Sequence, residues 1–364
     1  MRDLINIDFP FSADDTAKSR VLVLDTGPDR AFRAMIKAWK EIPEFQVVVN
    51  TFQVPAADCD WLSQQHSDVI QVKIDPLNEF ELIEHVEKMG GYSIITTRLN
   101  VPFKRPLLEV LSSPTQAQPL KILGQAGSTV SHIDLTAAKE HNVVVTYTPG
   151  ANANAVAEFV MAQLFSLVRS LSEYNQLTHD KVWSKYSLPS RDELNEKTLG
   201  LIGFGHIARA VSLKARVLGM SVISYTRTQP KTETMGVEFV PDLETLLRKA
   251  NIISLHIPFS SSTKNLIGKK EITLMQEGSY LINTSRGGIV DEEAVAQELK
   301  KVNSKLAGVA FDVFENEAGD FDSPLIGCKK ALLTPHIAGT TNAALTNTAT
   351  QLVNNISAIY LNLF

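Results

Sequence analysis

The stretch Thr198–Leu218 constrains this chain more than any other part of it. A leucine-rich run, Thr198–Gly203, leads directly into a helical pattern, His206–Leu218, and the junction reads Gly-Phe-Gly-His-Ile-Ala. This is G-x-G-x-x-A over Gly203, Gly205 and Ala208. Each small residue answers a separate demand. Gly203 permits a tight strand-to-helix turn, Gly205 lets the backbone approach a pyrophosphate, and Ala208 lets helix and strand pack closely. The free N–H groups of the helix start then receive the anion. Standing alone the pattern is weak, because a glycine turn can be purely structural. Here a strand precedes it, a helix follows, and a second strand, Ser221–Thr226, completes a βαβ unit.

The same rhythm runs along most of the chain. Arg20–Asp25, Tyr92–Thr97, Leu120–Ala126 and Val143–Thr148 read as strands, with helical patterns over Asp29–Glu41, Glu79–Met89 and Ile133–His141. After the glycine turn come a helix at Leu243–Lys249, strands at Ile252–Ile257 and Tyr280–Thr284, a helix at Glu292–Lys301, and strands at Leu306–Val313 and Ala331–Thr334. Alternation of this kind implies parallel sheets built from βαβ units. Glu44–Asp75 contains strand-like runs around a Pro-Ala-Ala-Asp turn that the pattern does not order. A helical stretch from Asn154 to about Lys181 interrupts the series and reads as one long hinge element. The expected fold is therefore α/β, with two Rossmann-like, doubly wound parallel-sheet domains joined by long helices. The first spans 1–153 and is completed by 337–364; the second spans 154–336. The last helix, about Thr341–Leu363, is expected to return to the first domain, the alternative being that it closes the second.

Length and composition agree. A chain of 364 residues, 44% apolar, can fill two cores. A net charge of -5 without a basic run argues against a nucleic-acid binder. Cys59 and Cys328 are too few and too far apart for a disulfide framework or a zinc motif, and read as two small buried hydrophobes. No metal site is expected. The start, Met1–Asp15, has acids and a proline where a signal peptide needs an apolar run. The most apolar helical run, Phe159–Val168, is far short of a membrane span. These features describe a cytoplasmic enzyme.

Three strand ends carry residues with chemistry. Arg286, in Asn283-Thr-Ser-Arg-Gly-Gly, offers a planar fork that suits a carboxylate, although a surface arginine is the plain alternative. Asp312, Glu315 and Glu317 follow the next strand and equally suit solvated loop charges. His336, in Thr334-Pro-His-Ile-Ala-Gly339, is a candidate acid/base. At the end of the second strand of the βαβ unit, Thr226 stands where an NAD-preferring site usually has an acid, and Arg227 and Thr228 follow. That substitution favours NADP, with Lys231 near enough to help. Arg227 as a solvated charge, and an enzyme using NAD or NADP alike, is the other reading.

The order G-x-G-x-x-A, NTSRGG, DVFENE and TPHIAG resembles the D-isomer-specific 2-hydroxyacid dehydrogenase family. Leu120–Leu135, Thr148–Ala153, Val156–Glu158 and Trp183 fit its pattern too. The match runs from about Tyr92 to Gly339 and weakens before Tyr92. The resemblance implies an oxidoreductase passing hydride between NAD(P) and a small 2-keto or 2-hydroxy acid. It implies that Arg286 holds substrate, that His336 passes the proton, and that Glu317 rather than Glu315 is its partner acid. Asp312 would face the nicotinamide end, and His206, Ile207, Thr284 and Gly339 would line the cofactor. Arg98, Gly127 and Ser128 would meet the substrate from the first domain, and a homodimer is expected. The chain departs from the pattern at Gly127-Ser-Thr, where a Gly-x-Gly is frequent, and at Glu317-Ala318, where Glu-Pro is usual. Neither removes a reacting group. No appended regulatory domain is expected after Phe364. The rival readings are phosphite-type oxidation on the same fold and a dinucleotide-sensing, co-repressor-like binding protein. Family formate dehydrogenases resemble one another in a Gln where Glu317 stands, which argues against formate.

Overall fold

Short β-branched strands, buried on both faces, pair in parallel into two sheets, and amphipathic helices cover them. The computed structural model describes residues 18–25, 29–98, 101–183, 185–228, 236–317 and 319–363. The expectations placed on Met1–Asp15, Lys231 and Ala318 fall outside them. The chain divides into two compact units, one running to Asn152 and resuming at Thr341, the other spanning Ala153–Thr340.

The first unit contains strands β1 (Ser19–Val23), β2 (Phe45–Asn50), β3 (Ile70–Val72), β4 (Ile94–Thr97), β5 (Ile122–Gln125) and β6 (Val144–Tyr147), with helices α1 (Asp29–Lys40), α2 (Ala56–Gln65), α3 (Glu79–Met89), α4 (Arg105–Leu111) and α5 (Leu135–Glu140). The second contains α6 (Ala153–Val168), α7 (Leu171–His179), β7 (Thr198–Ile202), α8 (His206–Val217), β8 (Ser221–Tyr225), β9 (Glu238–Phe239), α9 (Leu243–Lys249), β10 (Ile252–Leu255), α10 (Lys269–Leu274), β11 (Ser279–Asn283), α11 (Glu292–Leu299), β12 (Leu306–Phe311) and β13 (Ala331–Leu333). The final helix, α12 (Asn342–Leu363), belongs to the first unit.

The first sheet has six parallel strands in the order β3-β2-β1-β4-β5-β6. Phe32, Met35, Ile36 and Trp39 recur at helical spacing on α1 and share a core with Leu352, Val353 and Ile356 of α12. Gly124 explains how α12 lies so close to the sheet: a Cβ there would stand 2.7 Å from Ile356 Cδ1. The second sheet has seven parallel strands, β13-β12-β11-β10-β7-β8-β9. Its order reverses between β7 and β10, which opens a crevice at the carboxyl ends of those strands. α6 buries Val156, Val160, Leu164 and Val168 against Ala208, Val211 and Ala215 of α8.

Three sequence readings need correction. The single hinge helix over Asn154–Lys181 is two helices, α6 and α7, bent by 61°. Ser170 breaks it by turning to φ 49, ψ 40, a left-handed conformation that cannot continue a right-handed helix. No residue of α7 is buried, so packing does not hold it in line with α6. Second, Glu44–Asp75 is ordered: it supplies β2, α2 and β3. Its signal was faint because α2 buries only Asp58 and Leu62 and β3 is a three-residue edge strand. Third, Cys59 and Cys328 are only partly buried free thiols rather than core residues. Among the described residues no single helix is long and apolar enough to cross a membrane.

Candidate active site

The glycine turn lies at the reversal point of the second sheet. Gly203 has φ +94, and a Cβ on it would meet the His256 carbonyl oxygen at 2.5 Å, so both conformation and space call for glycine. Its N–H donates to the Tyr225 carbonyl at 2.8 Å, which ties the turn to the end of β8. Around Gly205 the situation is opposite: a Cβ there would meet nothing within 4 Å. That open space faces the start of α8, whose first N–H groups have no intrahelical acceptor and no capping side chain. Ala208 is wholly buried, as close helix–strand packing requires. At the end of β11, Thr284 Oγ1 is buried without a hydrogen-bond partner. Open room, aimed donors and an unmatched hydroxyl together fit a bound dinucleotide. His206 is exposed and Ile207 partly so, at the helix start; Gly339 follows in the loop after β13. Burial pushes the neighbouring His256 imidazole down to about 3, so this ring brings no positive charge to the turn.

Thr226, Arg227 and Thr228 leave β8 beside this turn. Thr226 Oγ1 donates to the Thr228 carbonyl at 3.4 Å, which curls the segment. Arg227 and Thr228 are exposed, and among the described residues no ion pair engages Arg227.

The next strand ends carry Arg286, Glu317 and His336. Arg286 is set by an Asn-centred turn. Asn283 Oδ1 accepts from the Ser285 N–H at 3.1 Å and from Ser285 Oγ at 2.8 Å, while Asn283 Nδ2 donates to the Arg286 carbonyl at 3.1 Å. Arg286 Nη1 donates to the Ser285 carbonyl at 2.6 Å, which fixes the guanidinium and leaves its other N–H groups for a ligand. Gly287 follows because a Cβ would lie 1.8 Å from the Phe314 carbonyl oxygen. The arginine turn is thus pressed directly against the loop that carries Glu317.

Glu317 and His336 are brought together. Glu317 Oε2 lies 2.7 Å from His336 Nδ1, and Glu317 Oε1 accepts from the Phe314 N–H at 3.0 Å. Both side chains remain partly open to solvent. With Nδ1 turned to the carboxylate, Nε2 is the ring nitrogen left to face a substrate. A cavity of about 420 Å³, walled by Phe314, Phe321, Leu333 and Pro335, adjoins the pair. His336 has φ 53, unusual for a residue with a Cβ. Asp312 holds it there. Oδ1 accepts from Thr334 Oγ1 at 2.6 Å and from the Ile337 N–H at 3.0 Å, and Oδ2 accepts from the Ala338 N–H at 2.8 Å. Asp312 is fully buried. The carboxylate of Asp312, which the resemblance implies faces the nicotinamide end, is bonded to the His336 loop.

Arg98, Gly127 and Ser128, which the resemblance implies meet the substrate, lie in the first unit. Asp25 Oδ2 accepts from Thr97 Oγ1 at 2.5 Å and from the Arg98 N–H at 2.9 Å. Gln125 Nε2 donates to the Arg98 carbonyl at 3.0 Å, and its Oε1 lies 3.0 Å from His132 Nε2. Burial lowers the Arg98 pKa, with the Asp25 charge opposing it. Thr148 holds the Gly127 carbonyl through its N–H at 2.9 Å. Ser128 is exposed at the loop tip. Sequence reasoning missed Asn283, Asp25 and Gln125 as organisers. Only Asn283 left a trace, since Asn-x-Ser at a strand end is a turn signature.

Comparison with known proteins places this geometry. A model of the D-isomer specific 2-hydroxyacid dehydrogenase NAD-binding domain matches residues 161–338. A hydroxypyruvate reductase of Thermotoga maritima is 36% identical over 276 residues, covering 75% of this chain and 88% of the relative. A glyoxylate reductase of Thermococcus litoralis is 34% identical over 281 residues, covering 75% and 82%. The structure of a D-2-hydroxyisocaproate dehydrogenase superposes with a TM-score of 0.77 at 22% identity, over 95% of this chain and 98% of the other, and shows the shared fold. The chain belongs to the D-isomer specific 2-hydroxyacid dehydrogenase family, oxidoreductases that act on CH–OH groups with NAD(P).

Proposed function

We propose that this protein reduces a small 2-keto acid, and oxidises the matching 2-hydroxy acid, with Arg286, Glu317 and His336 at the reacting carbon. The observation that carries this is the 2.7 Å pairing of Glu317 with His336 beside the fixed Arg286 turn. The Gly203–Ala208 turn would hold the pyrophosphate of the dinucleotide, whose nicotinamide would supply the hydride. Arg286 receives the substrate carboxylate with its free N–H groups and polarises the carbonyl. Glu317 holds the His336 ring through Nδ1 and so aims Nε2. Nε2 of His336 then gives its proton to the carbonyl oxygen as C2 is reduced. Arg98, Gly127 and Ser128 of the first unit are the substrate-side residues in this reading.

NADP is the preferred cofactor in this reading. The support is the absence of an acid at Thr226 and the exposed Arg227 beside it. The named relatives act on hydroxypyruvate and glyoxylate, so a small side chain is favoured. A homodimer accounts for the exposed apolar residues Phe165, Leu171, Val182, Trp183 and Tyr186 clustered along the α6–α7 region. Sedimentation at micromolar concentration is expected to show two copies; a monomer would refute this. Two free, partly exposed thiols suit the reducing cytoplasm. The deciding assay measures kcat/KM with NADPH and NADH across glyoxylate, hydroxypyruvate, pyruvate, branched and aromatic 2-keto acids, with phosphite as the rival donor. Turnover of a small 2-keto acid supports the proposal; turnover of phosphite alone overturns it.

A further inference from the structure

Glu292 is a buried carboxylate to which the reaction gives no part. It is the first residue of α11, where an acid normally lies at the surface and steadies the helix dipole. Asp291 already caps that helix, accepting from the Ala294 N–H at 2.9 Å. Glu292 instead turns inward and is 7% exposed. Its Oε1 accepts from the Glu315 N–H at 2.7 Å, and its Oε2 accepts from Ser323 Oγ at 2.5 Å. Ser323 is itself buried and receives the Leu325 N–H at 3.3 Å. One carboxylate therefore ties both ends of the segment that carries Glu317.

The tether meets the site at a single peptide unit. The Phe314 carbonyl is the group against which Gly287, next to Arg286, packs without room for a Cβ. The N–H of the same peptide, that of Glu315, is the one bonded to Glu292. The preceding N–H, of Phe314, binds Glu317 Oε1. The Arg286 turn, the Glu317 carboxylate and the head of α11 thus converge on one short stretch of backbone. Burying a charge is costly unless it is well bonded, and two strong charge-assisted bonds are what this carboxylate obtains.

We propose that Glu292 is a positioning residue for proton transfer: it sets the Phe314–Glu317 backbone, and through it the placement of Glu317 against His336. This rests on the reading of Glu317 and His336 as the proton-passing pair. Glu292→Gln keeps the shape and removes the charge: its oxygen can still accept from the Glu315 N–H and its N–H₂ can donate to Ser323 Oγ. Both charge-assisted bonds become neutral ones, so kcat for keto-acid reduction is expected to fall about tenfold. Cofactor affinity should stay within about threefold, because the Gly203 turn is untouched.

The test is a double-mutant cycle with Glu317→Gln, measured on the full-length enzyme with keto acid and reduced cofactor. In the Glu317→Gln background, Glu292→Gln should cost less than about threefold more, since its route to His336 is already cut. An equal loss in both backgrounds, or wild-type kcat in Glu292→Gln, overturns the inference while leaving the pair intact. A Glu317→Gln enzyme with wild-type kcat overturns the pair itself, and this inference with it. Should Glu292→Gln fail to fold, Ser323→Ala removes the far tether alone. It should lower kcat about threefold to tenfold, again only when Glu317 is present, and an unchanged kcat overturns the proposal.

Discussion

Replacing Asp312 by Asn should damage both the fold and the chemistry of the second unit, by an amount that follows from its bonds. The carboxylate receives three donors: Thr334 Oγ1 and the Ile337 N–H on one oxygen, the Ala338 N–H on the other. Asn offers one acceptor. In its better orientation the oxygen keeps Thr334 and Ile337, and the amide N–H₂ is set against the Ala338 N–H. Ala338 is 3% exposed, so no water takes the place of the lost acceptor. A hydrogen bond to a charged group contributes roughly 1.5–3 kcal/mol and a neutral one about 1, so one bond vanishes and two weaken. The total loss is about 3–5 kcal/mol. It falls on a loop already holding His336 at φ 53, a conformation that costs an L-residue roughly 1–2 kcal/mol. With the clamp weakened, His336 should relax away from Glu317. Denaturant titration followed by circular dichroism measures the first effect, and kcat for keto-acid reduction the second, with a loss of about a hundredfold expected. A stability loss below about 1 kcal/mol together with kcat within about threefold of wild type would refute the clamp.

Three further outcomes follow from the site. Arg286→Lys keeps the charge but loses the fork, so kcat/KM for the keto acid should fall about a hundredfold or more while cofactor affinity holds; near-normal kcat/KM would sink the assignment. Glu317 orients the imidazole through Nδ1, so Glu317→Gln should lower kcat for keto-acid reduction about tenfold or more, with Glu315→Gln close to wild type. If Glu315→Gln lowers kcat instead, the wrong acid has been paired. Thr226→Asp with Arg227→Ala should swing the NADPH/NADH ratio of kcat/KM toward NADH. Arg227's charge-assisted bond to the extra phosphate contributes roughly 1.5–3 kcal/mol, about tenfold to somewhat over a hundredfold. A wild type that already prefers NADH contradicts this reading of the loop.

Much of this molecule could be read directly, and the reasons are local. Parallel strands buried on both faces write themselves as β-branched runs, so β7, β8, β10, β11 and β12 were visible within two residues of their ends. The Gly203 turn was visible because steric need admits so few residues there. Ser170 was not, since a left-handed serine carries no compositional mark. Asp312 and Glu292 were invisible as organisers for a related reason. An acid in a loop or at a helix start looks solvated until the donors around it are known, and those donors come from residues 22–31 positions away.

The placement of α12 has a consequence for biosynthesis. The sheet of the first unit is made from an earlier part of the chain, but the helix that covers Gly124 and α1 leaves the ribosome only after the whole second unit. Domains usually fold in the order in which they emerge. Here the earlier sheet must wait, with Phe32, Ile36 and Trp39 uncovered, while the whole of the second unit is translated and is free to fold first. A nascent chain stalled anywhere before Asn342 therefore exposes an apolar face to chaperones, and loss of even the final turns strips Ile356 and Ile359 from a core begun more than three hundred residues earlier.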